Sequence, residues 1–126
     1  MPDTTIAVID DASPFLFDVD AMRTGIERRW PRAVFEAPSG RLAGRLLATF
    51  IIPGEDTRGL SVDVPVSRSF LSVDYADSDM VGEFVEWLVT LDGFPGDGSV
   101  AMFDWADDVL PLRPGLTADE VSRELV

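Results

Sequence analysis

Between Leu60 and Ser67 the chain alternates: Leu60, Val62, Val64 and Val66 are apolar, and Ser61, Asp63, Pro65 and Ser67 separate them. A period of two marks a strand with one face buried and the other toward water. The interior proline cannot donate to a sheet ladder, which predicts an edge position for this strand. Phe70 to Tyr75 follows as a second extended segment. The short connection predicts antiparallel pairing, because a parallel crossover needs about a dozen residues or more. Thr4 to Ile9 is β-branched and apolar until Asp10, Asp11, Ser13 and Pro14 interrupt it. Ala33 to Ala37 and Leu42 to Ile52 flank a Pro38-Ser39-Gly40 turn, and Ser99 to Phe103 and Val109 to Leu112 complete the extended segments.

Elsewhere the period lengthens to that of a helix. Val19, Met22, Ile26 and Trp30 recur at helical spacing, with Asp18 placed to cap the segment and Pro31 to stop it. From Asp79 to Leu91 an apolar stripe runs through Met80, Phe84, Trp87 or Leu88, and Leu91, with Asp77 or Ser78 as the cap. Burying one Phe or Leu of this stripe contributes roughly 1.5–3 kcal/mol, which assigns it, Trp87 included, to packing. Thr117 to Glu120 matches a capping box, in which Thr117 receives an amide and Glu120 reaches back to the cap amide. Val121 and Leu125 anchor the short helix that follows. This order of elements predicts an α+β fold, a predominantly antiparallel sheet with helices packed on one face.

A chain of 126 residues with 46% hydrophobic content suits a single compact domain spanning 1–126. Its 23 acidic residues against 10 basic ones give a formal charge of −13, and every basic residue is an arginine. Such a surplus repels phosphate backbones and anionic membranes and favours encounter with a basic protein. No basic segment precedes an apolar run at the N-terminus, and no stretch approaches the roughly 18–20 apolar residues of a membrane span. The chain has no cysteine. It therefore suits a reducing compartment, and cytoplasm is the expected location.

The same composition narrows the chemistry. Histidine, cysteine and lysine are all absent, so the commonest neutral-pH proton shuttle and two activated nucleophiles are missing. No phosphate-binding loop or dinucleotide fingerprint occurs. Ile6 to Asp11 resembles the opening strand and acidic pair of a phosphorylation receiver domain, but that chemistry also uses a lysine, which this chain lacks. Asp104, Asp107 and Asp108 form one carboxylate cluster and Asp74, Asp77 and Asp79 another. Neither has the spacing or central glycine of a calcium-binding loop, and both read as solvent-facing. The expectation is a nonenzymatic chain with no catalytic, cofactor-binding or metal-binding residue; a carboxylate-dependent hydrolase or metal enzyme is the alternative such clusters would permit.

Protein recognition makes fuller use of these features. Asp63, Asp74, Glu83, Glu86, Asp104, Asp107 and Asp108 on a common face would steer a basic partner, and Trp87, Trp105, Tyr75 or Phe103 would supply an apolar centre. Glu83, Glu86, Asp104, Trp105, Asp107 and Asp108 are the candidate binding residues. The acidic α+β pattern, the segment Phe84-Val85-Glu86-Trp87-Leu88 and the segment Phe103-Asp104-Trp105-Ala106-Asp107-Asp108 resemble the small acidic immunity proteins of bacterial polymorphic-toxin systems. That resemblance implies a cognate toxin as partner and inhibition by occlusion. A structural or regulatory domain that self-associates into a homo-oligomer is the alternative binding role.

Overall fold

The computed structural model describes residues 3–37, 44–54, 59–76, 78–104 and 109–124. In chain order these form β1 (Asp3–Val8), α1 (Val19–Arg29), β2 (Val34–Glu36), β3 (Leu46–Ile52) and β4 (Leu60–Pro65). There follow β5 (Phe70–Tyr75), α2 (Ser78–Leu88), β6 (Val100–Asp104), β7 (Val109–Pro111) and α3 (Ala118–Glu124). The strands build one seven-stranded sheet in the order β2-β3-β4-β5-β1-β6-β7. Every neighbouring pair is antiparallel. The α+β reading of the sequence therefore holds, with the helices packed alongside an antiparallel sheet.

Alternation decides which side of the sheet is dry. Ala48, Phe50 and Ile52 of β3, Leu60, Val62 and Val64 of β4, and Leu71, Val73 and Tyr75 of β5 are buried, and the residues between them are not. Ile6 from β1 and Val100 and Met102 from β6 extend this surface. Met22 and Ile26 of α1, Val81, Phe84, Val85 and Leu88 of α2, and Val121 of α3 press onto it, making one continuous core. At one end Phe15, Phe17 and Phe94 close the core through edge-to-face contacts at 5.2 and 5.4 Å between ring centroids.

The starts of α1 and α3 have local causes. Asp18 accepts the amide of Ala21 at 3.1 Å and caps α1. Thr117 accepts the amide of Glu120 at 3.3 Å, which is half of the expected capping box. The other half differs: the Glu120 carboxylate takes the Thr117 hydroxyl and the Arg113 guanidinium, and the carboxylate on the amide of Ala118 is that of Glu86, at 2.7 Å. Asp10 accepts the amide of Ala12 at 2.9 Å, a turn contact just after β1. Asp77, the other cap considered for α2, lies outside the described residues.

The edge position expected for the proline-bearing strand is overturned. β4 lies third in the sheet, paired on both sides with β3 and β5. Pro65 is tolerated because it is the last residue of β4, opposite Leu46, where the register with β3 shifts between Leu46 and Ala48. The true edges are β2 and β7, three residues each. The extended segment expected from Leu42 begins instead at Leu46, after a turn at Gly44 and Arg45; residues 41–43 lie outside the described set.

The turn between β4 and β5 holds Arg68 at φ 56°, the one non-glycine with positive φ among the described residues. Its amide donates to Pro65 at 3.0 Å and its carbonyl accepts Phe17 at 2.9 Å, so the conformation is held from both sides. Left-handed backbone costs an L-residue about 1–2 kcal/mol. Glycine removes that cost and adds about 0.4–1 kcal/mol of chain entropy to the unfolded state. Arg68→Gly is therefore expected to stabilise the fold by roughly 0.5–1 kcal/mol, the difference of those two effects. An unchanged or lowered urea midpoint would show that the Arg68 side chain contributes more than its backbone strain costs.

Candidate protein-binding face

All three helices contribute to the core on one side of the sheet, and no described helix covers the other side. Residues directly opposite each other on antiparallel strands share a face, so the strand register gives the composition of this uncovered side. One row crosses all seven strands: Glu36, Thr49 and Asp63 from β2 to β4, Ser72 and Thr5 at the centre, and Phe103 and Val109 at the far margin. At about 4.8 Å between strands the row is about 28 Å long. Thr49 donates its hydroxyl to Asp63 at 2.7 Å, fixing that carboxylate on the face.

Two residues along the strands in one direction lies a second row, Val34, Ile51, Ser61, Asp74 and Asp3, in which Asp74 and Asp3 are direct cross-strand neighbours. Two residues in the other direction Phe70, Ala7, Ala101 and Pro111 stand in register. Leu47, beside the register shift, and Pro65 reach the same end of the sheet. The strand residues at one end of the face are thus apolar, Ala101 and Pro65 buried and Phe70 and Leu47 exposed, with Arg45 and Arg68 in the flanking turns, and the other end carries carboxylates. Val34, Leu47, Phe70 and Val109 are exposed on this face, four of the seven exposed large hydrophobic residues among the described ones.

Charge is distributed with equal clarity. No arginine occurs in any of the described strands. Asp3, Glu36, Asp63 and Asp74 project from the uncovered face, whereas Arg23, Arg28 and Arg29 lie on α1. Directly opposed like charges are unfavourable in a sheet, and Asp3 stands directly opposite Asp74. A cation supplied from outside would relieve this repulsion.

The candidate residues of the sequence are divided between two surfaces. Asp63 and Asp74 share the uncovered face. Glu83 and Glu86 are exposed on α2, in the helical layer on the other side of the sheet. Glu86 is already engaged in holding the start of α3 through Ala118. Asp104 is the last residue of β6, opposite Thr4. Trp105, Asp107 and Asp108 lie outside the described residues. Trp87, read as packing, is half-buried against Trp30 and Phe84, with ring centroids 5.7 and 5.6 Å away. Tyr75 is buried, and Phe103 stands half-buried on the uncovered face. Asp3, Glu36, Leu47 and Phe70 are not among the candidates that the sequence marks; their signal is the alternation within each strand, but only the strand order makes them neighbours.

Other chemistry is sparse. Among the described residues no group of three or more carboxylates is placed to hold a metal ion. No buried side-chain polar atom among them lacks a partner. Asp97 accepts both the hydroxyl and the amide of Ser99, and these bonds hold its carboxyl below its ordinary value. A cleft of about 620 Å³ lies between the Phe15–Asp18 segment, α1 and Leu91, with Asp18, Asp20, Asp92 and Arg28 on its rim. No described helix is long and apolar enough to cross a membrane. Comparison with protein-family models, curated proteins and solved structures gives no significant match, so the reading of this face rests on its own geometry.

Proposed function

We propose that the chain is a noncatalytic protein-binding domain that engages a basic partner through the uncovered sheet face, in the manner of an immunity protein occluding a toxin in the cytoplasm. The observation that carries this reading is the composition of the seven described strands: they present four carboxylates and no arginine on a face that also displays large apolar side chains. Carboxylates of this kind raise association rates with a basic surface, and the apolar groups supply area that loses water on contact.

The test is reconstitution. A partner recovered from the native cell is purified separately, mixed with the chain, and its affinity measured at low and high salt. The expected result is a one-to-one complex whose affinity falls by at least about tenfold as salt screens the charges. A partner without an excess of lysine and arginine, or an affinity indifferent to salt, overturns the electrostatic reading. The toxin-directed part is tested by co-expression: the chain is expected to relieve growth arrest caused by the partner, and continued arrest alongside an intact complex would reject occlusion.

A further inference from the structure

The uncovered face is polarised along the strands, and that polarity constrains how a partner can sit. Asp74 and Asp3 lie four residues along their strands from Phe70 and Ala7, about 14 Å at 3.4 Å per residue. Asp63 lies between these levels, held by Thr49. At the apolar end Leu47 and Phe70 are exposed with no charged strand residue beside them, and the charges in the flanking turns, Arg45 and Arg68, are cationic and disfavour a cationic side chain there.

A second copy of the chain is a poor occupant. Stacking two such faces in the same direction sets carboxylate on carboxylate, and stacking them in opposite directions lays Asp3, Asp63 and Asp74 of each copy over an apolar end whose described cations are Arg45 and Arg68 in the flanking turns, fewer than the carboxylates to be paired; unpaired buried charge is strongly unfavourable. Growth at the sheet edges fares no better, since β2 and β7 are three residues each and β7 ends in Pro111. Nucleic acid and anionic lipid share the sign of the face and are repelled by it. Charge complementarity leaves a polypeptide with cationic side chains, and the apolar end requires that these be segregated from its apolar ones.

We propose, building on the protein-binding reading above, that this face takes a basic polypeptide segment in one direction only, with lysine or arginine side chains over Asp63, Asp74 and Asp3 and apolar side chains over Phe70 and Leu47. The acidic end acts mainly on the rate of encounter and the apolar end mainly on the lifetime of the complex.

The probe is a synthetic peptide with lysines at one end and leucines at the other, carrying a nitroxide at the leucine end, titrated into the ¹⁵N-labelled chain. Amide shifts are expected at Asp3, Asp63, Ser72, Asp74 and Phe70, with paramagnetic broadening strongest near Phe70 and Leu47. Asp63→Asn combined with Asp74→Asn is expected to weaken binding by at least about tenfold at low salt and to remove most of its salt dependence. Phe70→Ser is expected to speed dissociation by about tenfold while retaining the salt dependence. Phe70 is already 38% exposed, so the change leaves the core intact, which the unchanged spectrum of β3 and β4 would verify. Broadening at Asp3 and Asp74 instead overturns the direction. Shifts confined to the Glu83 and Glu86 surface of α2 overturn this face while leaving a protein-binding role standing. No shift at millimolar peptide, or self-association that buries the face, overturns the proposal outright.

Discussion

Phe84→Ala is expected to lower stability by about 3–5 kcal/mol, a large share of the roughly 5–15 kcal/mol that holds a domain together. Phe84 is fully buried at the centre of α2. It faces the sheet in the common core, stacks on Trp30 at 6.2 Å with the ring planes 28° apart, and meets Trp87 at 5.6 Å. Truncation removes the transfer free energy of the ring and leaves a void. The surrounding groups cannot readily fill that void, because Trp30 and Trp87 also pack on each other at 5.7 Å. The cost should appear as a lower urea midpoint with an unchanged slope, because the surface exposed on unfolding is nearly the same. A loss below about 1 kcal/mol, far under the range for a buried Phe, would mean that α2 is not seated on the sheet as described.

Phe84 also shows what is legible in the sequence. Its place in the stripe with Met80 and Leu88 follows from the spacing alone, because a helix repeats its face every three or four residues whatever it packs against. The same holds for β4, where alternation marks Leu60, Val62 and Val64 as buried without reference to any partner strand. Pro65 marks the limit. A missing donor excludes the middle of a ladder, and it is a further step to let it exclude an interior strand. The sheet instead places the proline at the end of an interior strand beside a register shift, where no donor is needed. Local sequence does not distinguish these cases, since the difference lies in the path of β3.

The binding face is harder to read for a related reason. Asp63 and Asp74 stand out in the sequence as acidic positions, but their association with Asp3 and Glu36 depends on β1 pairing with β5 and β2 with β3. The first of these joins segments more than sixty residues apart, and the second brings Glu36 beside Asp63 only through the further pairing of β3 with β4. Grouping Glu83 and Glu86 with Asp63 and Asp74 overlooks that a helix on a sheet turns its exposed carboxylates away from the sheet's other side. The outward positions of α2 follow from its stripe; the side of the sheet on which it lies does not.

Gly82→Ala is expected to destabilise the protein although alanine is the better helix former. Relative to glycine in a helix interior, alanine gains about 0.8–1 kcal/mol of propensity. At this position, however, a Cβ would stand 2.6 Å from the carbonyl oxygen of Ala118 and 2.8 Å from the hydroxyl of Ser122. The first of these is backbone at the start of α3 and cannot rotate away. The added methyl must push α3 off α2, which disturbs the Glu86 carboxylate on the Ala118 amide and the buried Val121. Overpacking of this kind costs about 1–3 kcal/mol, which exceeds the propensity gain over most of its range. Gly44→Ala, in a turn, is the comparison without a clash, because a Cβ there meets none of the described atoms within 4 Å. The pair should therefore separate in thermal unfolding, with the Gly44 variant near the parent and the Gly82 variant below it. Hydrogen exchange should accelerate first in α3, because the clash acts on its attachment and not on the sheet. A Gly82→Ala protein as stable as the parent, with α3 amides equally protected, would mean that the close approach of α2 and α3 does not exist in solution.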